Sequence, residues 1–411
     1  MLMKKIIFLL PFVILWASCS SDEPIPDNPK PVTFELSAAE SRAAEQTLGF
    51  NIDFFRAVCH TEKASGTIST SPLSATLLLS MIANACDAEM SRQITDALGC
   101  KDIDALNSLA QKYLLAMPEI DPSVSMGIAN SIWYHNSYTL SKDFADIIDR
   151  YYDGGKYGRN LQSGDEAIAS EINNWASDKT KGLITNIVSS ADLNSGVVIL
   201  MANAIYFNGL WANPFEKENT AKKDFFGLSK TVNIDMMQSG GMQHYAETEE
   251  LQAVKMEFGD GSFEAIIVLP AADAEINSFI ASDALDKLAT LRYNDQPIEF
   301  SLPKLKIAAQ KLSLNKPLQN LGITNIGNIQ NYKMFSEKVT ARSEIHQKAT
   351  IEFTEQGAEG AGVTWDNGFT DPGPDAPAPA KPVMNVNRPF VFFINETTTG
   401  ACLFATRVTD L

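Results

Sequence analysis

Histidine and cysteine, which supply much of catalytic and metal chemistry, are scarce in this chain: 411 residues contain four histidines and five cysteines. Cys59, Cys86, Cys100 and Cys402 form none of the close pairs that zinc sites and dithiol redox motifs use. Cys59 and Cys402 sit in strongly apolar stretches, so buried free thiols are expected, although a disulfide stays open to them in an oxidising compartment. His60, His135, His244 and His346 show no metal spacing and lie near no nucleophile motif. A G-x-S-x-G elbow and a phosphate-binding glycine loop are both missing. Ser301 with Lys304, and Ser313 with Lys316, match S-x-x-K formally, but the first pair lies on a strand pattern containing Pro303, and that chemistry needs a helix. No enzyme assembles from these residues, and no cofactor or metal is expected. Positive charge is also short: 33 Lys and Arg against 50 Asp and Glu give a net charge of -17, which argues against a nucleic-acid surface. What remains is the composition of an ordinary globular protein, 45% hydrophobic and 20% charged, long enough to bury a large core.

The one apolar run near the start, residues 6–16, is too short to span a membrane comfortably. With Lys4 and Lys5 before it and Ala17, Ser18 and Cys19 after it, it reads as an export signal over residues 1–18. The small-small-Cys ending resembles the lipobox of bacterial lipoproteins, which implies a lipid on Cys19, although Trp16 stands where an aliphatic residue is usual. The same residues suit an ordinary cleaved signal in which Cys19 is incidental. Residues 19–36 form the lipidated N-terminus and a tether, because Pro24, Pro26, Pro29 and Pro31 with Asp22, Glu23 and Asp27 favour an extended, solvated chain. Acidic residues after a lipidated cysteine also resemble the surface-export signals of some Gram-negative lipoproteins, and so imply the outer face of the cell, with membrane contact only through the anchor.

From residue 37 onward the pattern is that of one large α+β domain. Ser37 and Glu40 have capping-box spacing, with Leu48, Ile52 and Phe55 on one helical face beyond them. Ser71 and Pro72 supply an N-cap and a first-turn proline for a second, buried helix carrying Leu73, Leu77 and Met81. Helical or mixed signals continue over 145–152 and 166–187, after which strand signals dominate. Residues 196–207 are apolar on both alternating faces, as a strand covered on both sides would be, and Asn203 interrupts them. A buried amide there needs partners, or it costs on the order of 1 to 3 kcal/mol. Residues 357–387 do not fit a compact domain: glycine-rich at first, they then hold Pro372, Pro374, Pro377, Pro379 and Pro382. A loop of that length is functional or disordered.

Several segments, in order, resemble the serpin family. They are Thr67 through Ser74 with the helix after them, Gln93 to Gly99, Asn130 to Trp133, Asn174 to Ile184, and Leu200 to Trp211. Later come Met236 to Gln238, Leu269 with Pro270, Leu302 to Lys304, Gln347 to Glu352, and Asn387 to Phe390. The resemblance covers residues from about 40 to 408. It implies three β-sheets with eight or nine helices and an exposed reactive loop, here about 355–387, in a monomeric domain over 37–411. It also implies inhibition of serine or cysteine proteases: cleavage lets the loop enter the large sheet as a new strand while the protease is still covalently attached. A non-inhibitory serpin acting as a protease substrate or binding surface is the alternative.

Within that resemblance, Ser71, Ser74, Asn203 and Gln347 fall at the polar cluster under the centre of the large sheet, with Trp211 near the point where the loop enters. Glu355, Gly357, Ala358, Glu359, Gly360, Ala361 and Gly362 resemble the loop's hinge, with Ala358 where Thr or Ser is usual and Gly360 and Gly362 among the expected alanines. If Ala358 faces the core, strand alternation turns Gly360, Gly362 and Thr364 inward and leaves Glu359 and Ala361 outside. The family's spacing puts the cleaved bond after Asp371, a poor site because Pro372 follows. One or two residues upstream lie the bonds after Thr370 and Phe369, suited to elastase-like and chymotrypsin-like enzymes. Lys381, the only basic residue between Lys348 and Arg388, precedes Pro382, so trypsin-like enzymes lack a good site.

Overall fold

Ser37 opens the first helix with both halves of a capping box: its hydroxyl accepts the Glu40 amide and the Glu40 carboxylate accepts the Ser37 amide. The computed structural model describes residues 34–62, 66–152, 154–193, 196–307, 311–328, 332–337, 339, 342–358 and 381–411. Among them are eight α-helices: α1 (Ala38–Thr61), α2 (Pro72–Ala83), α3 (Ala88–Leu98), α4 (Ile103–Leu115), α5 (Lys142–Tyr151), α6 (Glu166–Lys179), α7 (Ile276–Ala281) and α8 (Asn315–Asn320). Side chains of Ser71, Asp87, Asp102, Ser141 and Asp165 cap α2 to α6 by accepting first-turn amides. None of the described helices is long and apolar enough to cross a membrane.

Two helices differ from the sequence pattern. In α1 the buried stripe runs through Ala43, Thr47, Phe50, Phe54 and Val58, while Leu48 is 40% exposed. The helix packs against α2, α4, α8 and the C-terminal strand, and Leu48 lies at the rim of that contact beside Gly400. The helical signal read as far as residue 187 ends at Lys179, because Lys181 and Gly182 take positive φ (50° and 84°). The residues beyond it lie across the sheet surface as a strap.

The strands form three large sheets and one ribbon. The first sheet has the order β1 (Ile68–Thr70), β19 (Cys402–Val408), β18 (Phe390–Glu396), β9 (Phe263–Pro270), β8 (Leu251–Phe258), β7 (Met242–Glu247) and β10 (Asn294–Pro297). The second runs β17 (Val383–Asn385), β11 (Glu299–Pro303), β6 (Thr231–Ser239) and β5 (Ala221–Phe226). β12 (Leu305–Ile307) pairs with β15 (Ile351–Phe353). The third large sheet runs β13 (Leu312–Ser313), β14 (Arg342–Lys348), β4 (Val197–Leu210), β2 (Val124–His135) and β3 (Gly155–Arg159), with β16 (Gly357–Ala358) paired to one end of β4.

β4 is buried on both faces, which accounts for its unbroken apolar sequence. Met201, Ile205 and Phe207 join the main core with α2, all twelve residues of which are buried. Leu200, Ala202 and Ala204 face the other way, under Ile172 and Trp175 of α6.

Cys59, Cys100 and Cys402 are buried free thiols, and Cys86 is half-buried and also free. Burial pushes the Cys59 thiol up to about 12.

Candidate functional site

β4 and β14 run parallel and side by side, with Ala202 opposite His346, Asn203 opposite Gln347, and Ala204 opposite Lys348. Beyond Lys348 the chain leaves β4, pairs as β15 with β12, turns, and returns as β16 in the opposite direction, Ala358 opposite Gly209 and Gly357 opposite Leu210. Between these two contacts, β4 residues 205–208 have β2 on one side and, among the described residues, no strand on the other. The result is a seam in the sheet with a two-residue strand already seated at its end.

The turn that seats this strand is held at several points. Trp211 donates its backbone amide to Gln356 O (2.8 Å) and its indole N–H to Thr354 O (3.0 Å), and stacks on Phe258 with ring centroids 4.3 Å apart. Glu355, only 7% exposed, pairs with Lys304 at 3.0 Å and accepts the Thr220 hydroxyl at 3.1 Å. Burial pushes its carboxyl up, but hydrogen bonds from its own backbone, Lys304 and Thr220 outweigh that and hold it below the usual range. Gly357 has φ 145°, and a Cβ there would sit 2.1 Å from the carbonyl oxygen of Gly209, so no larger residue fits without moving β4 or the turn. Ala358 is buried in the main core, facing inward. Glu359, Gly360, Ala361 and Gly362, and the cleavage candidates Phe369, Thr370 and Asp371, lie outside the described residues, as does Cys19.

Just beyond the seam, where β4 and β14 are paired, a row of amides crosses three strands: Asn130 on β2, Asn203 on β4 and Gln347 on β14. Gln347 is fully used on one side, its oxygen accepting the Thr70 hydroxyl (2.5 Å) and the Ser71 amide (2.9 Å) while its nitrogen donates to Ser71 O (2.9 Å). Ser71 Oγ in turn accepts the Ser74 amide. Asn203 bonds only to Asn130, donating to its oxygen at 2.7 Å. The Asn203 oxygen, the Asn130 nitrogen and the Ser74 hydroxyl are buried without a partner among the described residues.

The structure therefore brings together Ser71, Ser74, Asn203 and Gln347, and separately Trp211, Glu355, Gly357 and Ala358. Sequence reasoning missed the partners Thr70, Asn130, Lys304 and Thr220. Asn130 carries a signal, an amide two residues before the apolar pair Ile132 and Trp133 on one strand, but the others become partners only through long-range contacts. Serine and lysine at 301 and 304 stand on and just after the strand β11, not on a helix. No group of His, Cys, Asp and Glu among the described residues could hold a metal ion.

Comparison with known proteins agrees with this geometry. The chain is 26% identical to serine protease inhibitor 2 of Anopheles gambiae over 84% of its own length and 87% of the relative's. It is 29% identical to antichymotrypsin-2 of Bombyx mori over 79% of its length and 87% of that protein's. The crystal structure of the thermophilic serpin tengpin in its native state superposes with a TM-score of 0.78 at 26% identity, covering 92% of this chain and 95% of tengpin. With the family model for serpins, described as serine protease inhibitors, matching residues 45–411, this chain belongs to the serpin family.

Proposed function

We propose that this serpin traps proteases covalently by inserting its cleaved loop between β4 and β14. The observation that carries this reading is the register of β16 on β4. Continued residue by residue from Ala358 opposite Gly209, it would set Gly360 opposite Phe207, Gly362 opposite Ile205 and Thr364 opposite Asn203, and would reach the first residue of β4 with Thr370 opposite Val197. A cut after Phe369, Thr370 or Asp371 would free a segment of about the length of β4. The protease nucleophile adds to the carbonyl carbon of that bond, the following amine leaves with a proton, and an acyl-enzyme forms. Insertion faster than hydrolysis of the acyl bond would carry the enzyme away from its working geometry.

The favoured targets are elastase-, subtilisin- or chymotrypsin-like serine proteases and papain-like cysteine proteases. One feature favours the alternative, simple cleavage as a substrate: the same register, continued, would turn Asp366 inward opposite Met201, which is fully buried, and burying a carboxylate there would slow the later part of insertion. A panel of purified proteases separates the two readings. A denaturant-resistant complex supports trapping, and clean cleavage with full recovery of protease activity supports the substrate reading.

Export with removal of residues 1–18, a lipid on Cys19, a tether to residue 36 and display at the cell surface complete the proposal, supported by the N-terminal sequence. Metabolic labelling with a fatty acid tests it, since label should appear in the wild type and vanish in Cys19→Ala.

A further inference from the structure

The junction along which β4 and β14 must part ends where Val197 lies opposite Arg342. β14 and β2 flank β4, and both the lead-in to β14 and the lead-out from β2 arrive at this end. There the two segments are clipped together in antiparallel fashion. Ser141 donates its amide to Met334 O (2.8 Å), Ser336 donates its amide to Thr139 O (2.9 Å), and Leu140 pairs with Phe335 between the two bonds. The Glu337 carboxylate accepts the Thr139 amide at 3.2 Å. Phe335 is buried at the centre, with the rings of Tyr138 and of Tyr134 on β2 at 5.4 and 6.1 Å. On its far side the lead-in is fixed to the main core: Lys333 donates its amide to Ala85 O, just past α2, and Val339 is buried, which leaves the lead-in little slack.

Entry of a strand between β4 and β14 adds one strand spacing, about 4.8 Å, between β14 and β2. The clip holds their ends at the narrower separation of the intact sheet. We propose that Phe335 and Glu337 are positioning residues of a brake: they keep the clip shut, and an incoming strand must break it to seat its last residues. In the register continued from β16 the brake would be met at Thr370 opposite Val197, next to the proposed scissile bonds, so a strand stalled there would leave the acyl bond time to hydrolyse. As a brake on insertion this rests on the function proposed above, whereas the clip's hold on β4 and β14 is a property of the intact chain.

Leu140 and Phe335 are an antiparallel pair with no backbone bond directly between them, the kind whose Cα atoms lie about 4.5 Å apart and which a disulfide can join. The full chain carrying Leu140→Cys and Phe335→Cys, with Cys86→Ala to remove the free thiol beside Tyr332, therefore has a clip that is locked when oxidised and weakened when reduced. Hydrogen exchange of the uncleaved chain, read by mass spectrometry, should be at least about tenfold slower over 197–204 and 342–348 in the oxidised form than in the reduced one. Exchange over 263–270 and 390–408 should not differ. Nicking within the loop should raise the melting temperature of the reduced form and much less that of the oxidised form. Equal exchange in the two forms, equal slowing everywhere, or an equal thermal gain on nicking would each overturn the brake. Slower exchange at the junction with no thermal gain in either form keeps the clip's hold on the intact chain and removes the insertion reading. Should the cysteine variant not fold, Glu337→Ala carries the test: exchange over 342–348 should quicken severalfold with 263–270 and 390–408 unchanged, and no change over 342–348 would overturn the proposal.

Discussion

Asn203 donates its side-chain amide to Asn130 across the centre of the third sheet, and the remaining oxygen of the one and nitrogen of the other are buried with no partner among the described residues. An amide pair satisfied on one edge only costs stability in the intact fold. Removing one member, as in Asn130→Val, should destabilise the chain by about 1 to 3 kcal/mol, because Asn203 then loses its remaining bond. The double variant Asn130→Val/Asn203→Val should recover most of that loss. Denaturant midpoints for the two singles and the double give the coupling, and additive losses would show that the pair does not act as a unit.

Gly357 is predicted to be irreplaceable for the seated hinge. A Cβ there meets backbone on β4, which cannot rotate away as a side chain would. Gly357→Ala should unseat β16, lower stability by at least about 1 kcal/mol, and expose the turn at Glu355 and Gln356 to limited proteolysis. Gly182→Ala serves as the contrast: its φ is also positive but nothing lies within 4 Å of the added carbon, so it should lose stability without hinge cleavage.

What the sequence reveals here depends on the range of the forces involved. The helix α2 is legible because Ser71, Pro72 and the apolar residues after them are neighbours along the chain, and β4 is legible because burial on both faces leaves an unbroken apolar run. The sequence pattern overruns the end of α6 because Ile172, Ala176, Ile184 and Ile187 keep a helical spacing, although the backbone turns at Lys181 and Gly182. Lys304 and Glu355 look like two surface charges in sequence. They become a pair, the carboxylate nearly buried and the lysine part exposed, only when the turn after β15 comes back against β4, and no local pattern encodes that approach. Gln347 was placed by resemblance, yet its bonds to Thr70 and Ser71 follow from the meeting of β1 and β14, set by packing at long range.

His346 predicts an acid-sensitive step. Burial pushes the imidazole down to about 4, Lys311 adds to this, and Asp192 opposes it. The unfolded chain takes up this proton below about 6.5 while the folded chain refuses it until about 4. Stability from the neutral ring is therefore complete above about 6.5 and is lost as pH falls towards 4, by at most about 3 kcal/mol. His346→Leu should flatten this part of the stability profile, measured by denaturant unfolding from pH 7 to 4. The carboxyl of Asp192 lies near 2, where hydrogen bonds from Lys311 and Ser189 outweigh burial, so its loss falls below that window.

Cleavage within 362–382 should stabilise the protein. Most nicked domains melt lower, because a cut relaxes constraints and adds ends. Here residues 205–208 of β4 lack a strand on one side among the described residues, and a freed segment in the register of β16 would supply hydrogen bonds along the whole 14-residue strand. About ten net hydrogen bonds at about 1 kcal/mol each, with about 1 to 2 °C per kcal/mol for a chain of this size, should raise the melting temperature by about 10 °C or more. Scanning calorimetry before and after a limited digest measures it, and an equal or lower value in the nicked chain would remove the inhibitory reading.

The final prediction concerns which proteases are trapped. Lys381 is followed by Pro382, and a cut there would in any case free far more chain than β4 can pair, since the register is exhausted at Thr370 opposite Val197. A cut much earlier would leave a strand too short to pass the amide row, which the register reaches at Thr364. The useful bonds therefore cluster after Phe369 and Thr370, with Asp371 disfavoured by Pro372. Chymotrypsin-like enzymes should cut after Phe369 and elastase- or subtilisin-like enzymes after Thr370, both forming denaturant-resistant complexes, while trypsin forms none. Phe369→Arg should reverse the preference by giving trypsin a bond of the right register. Mass spectrometry of the released C-terminal fragment identifies the bond: a start at Thr370 or Asp371 supports the assignment, and a covalent complex between trypsin and the wild-type chain would overturn it.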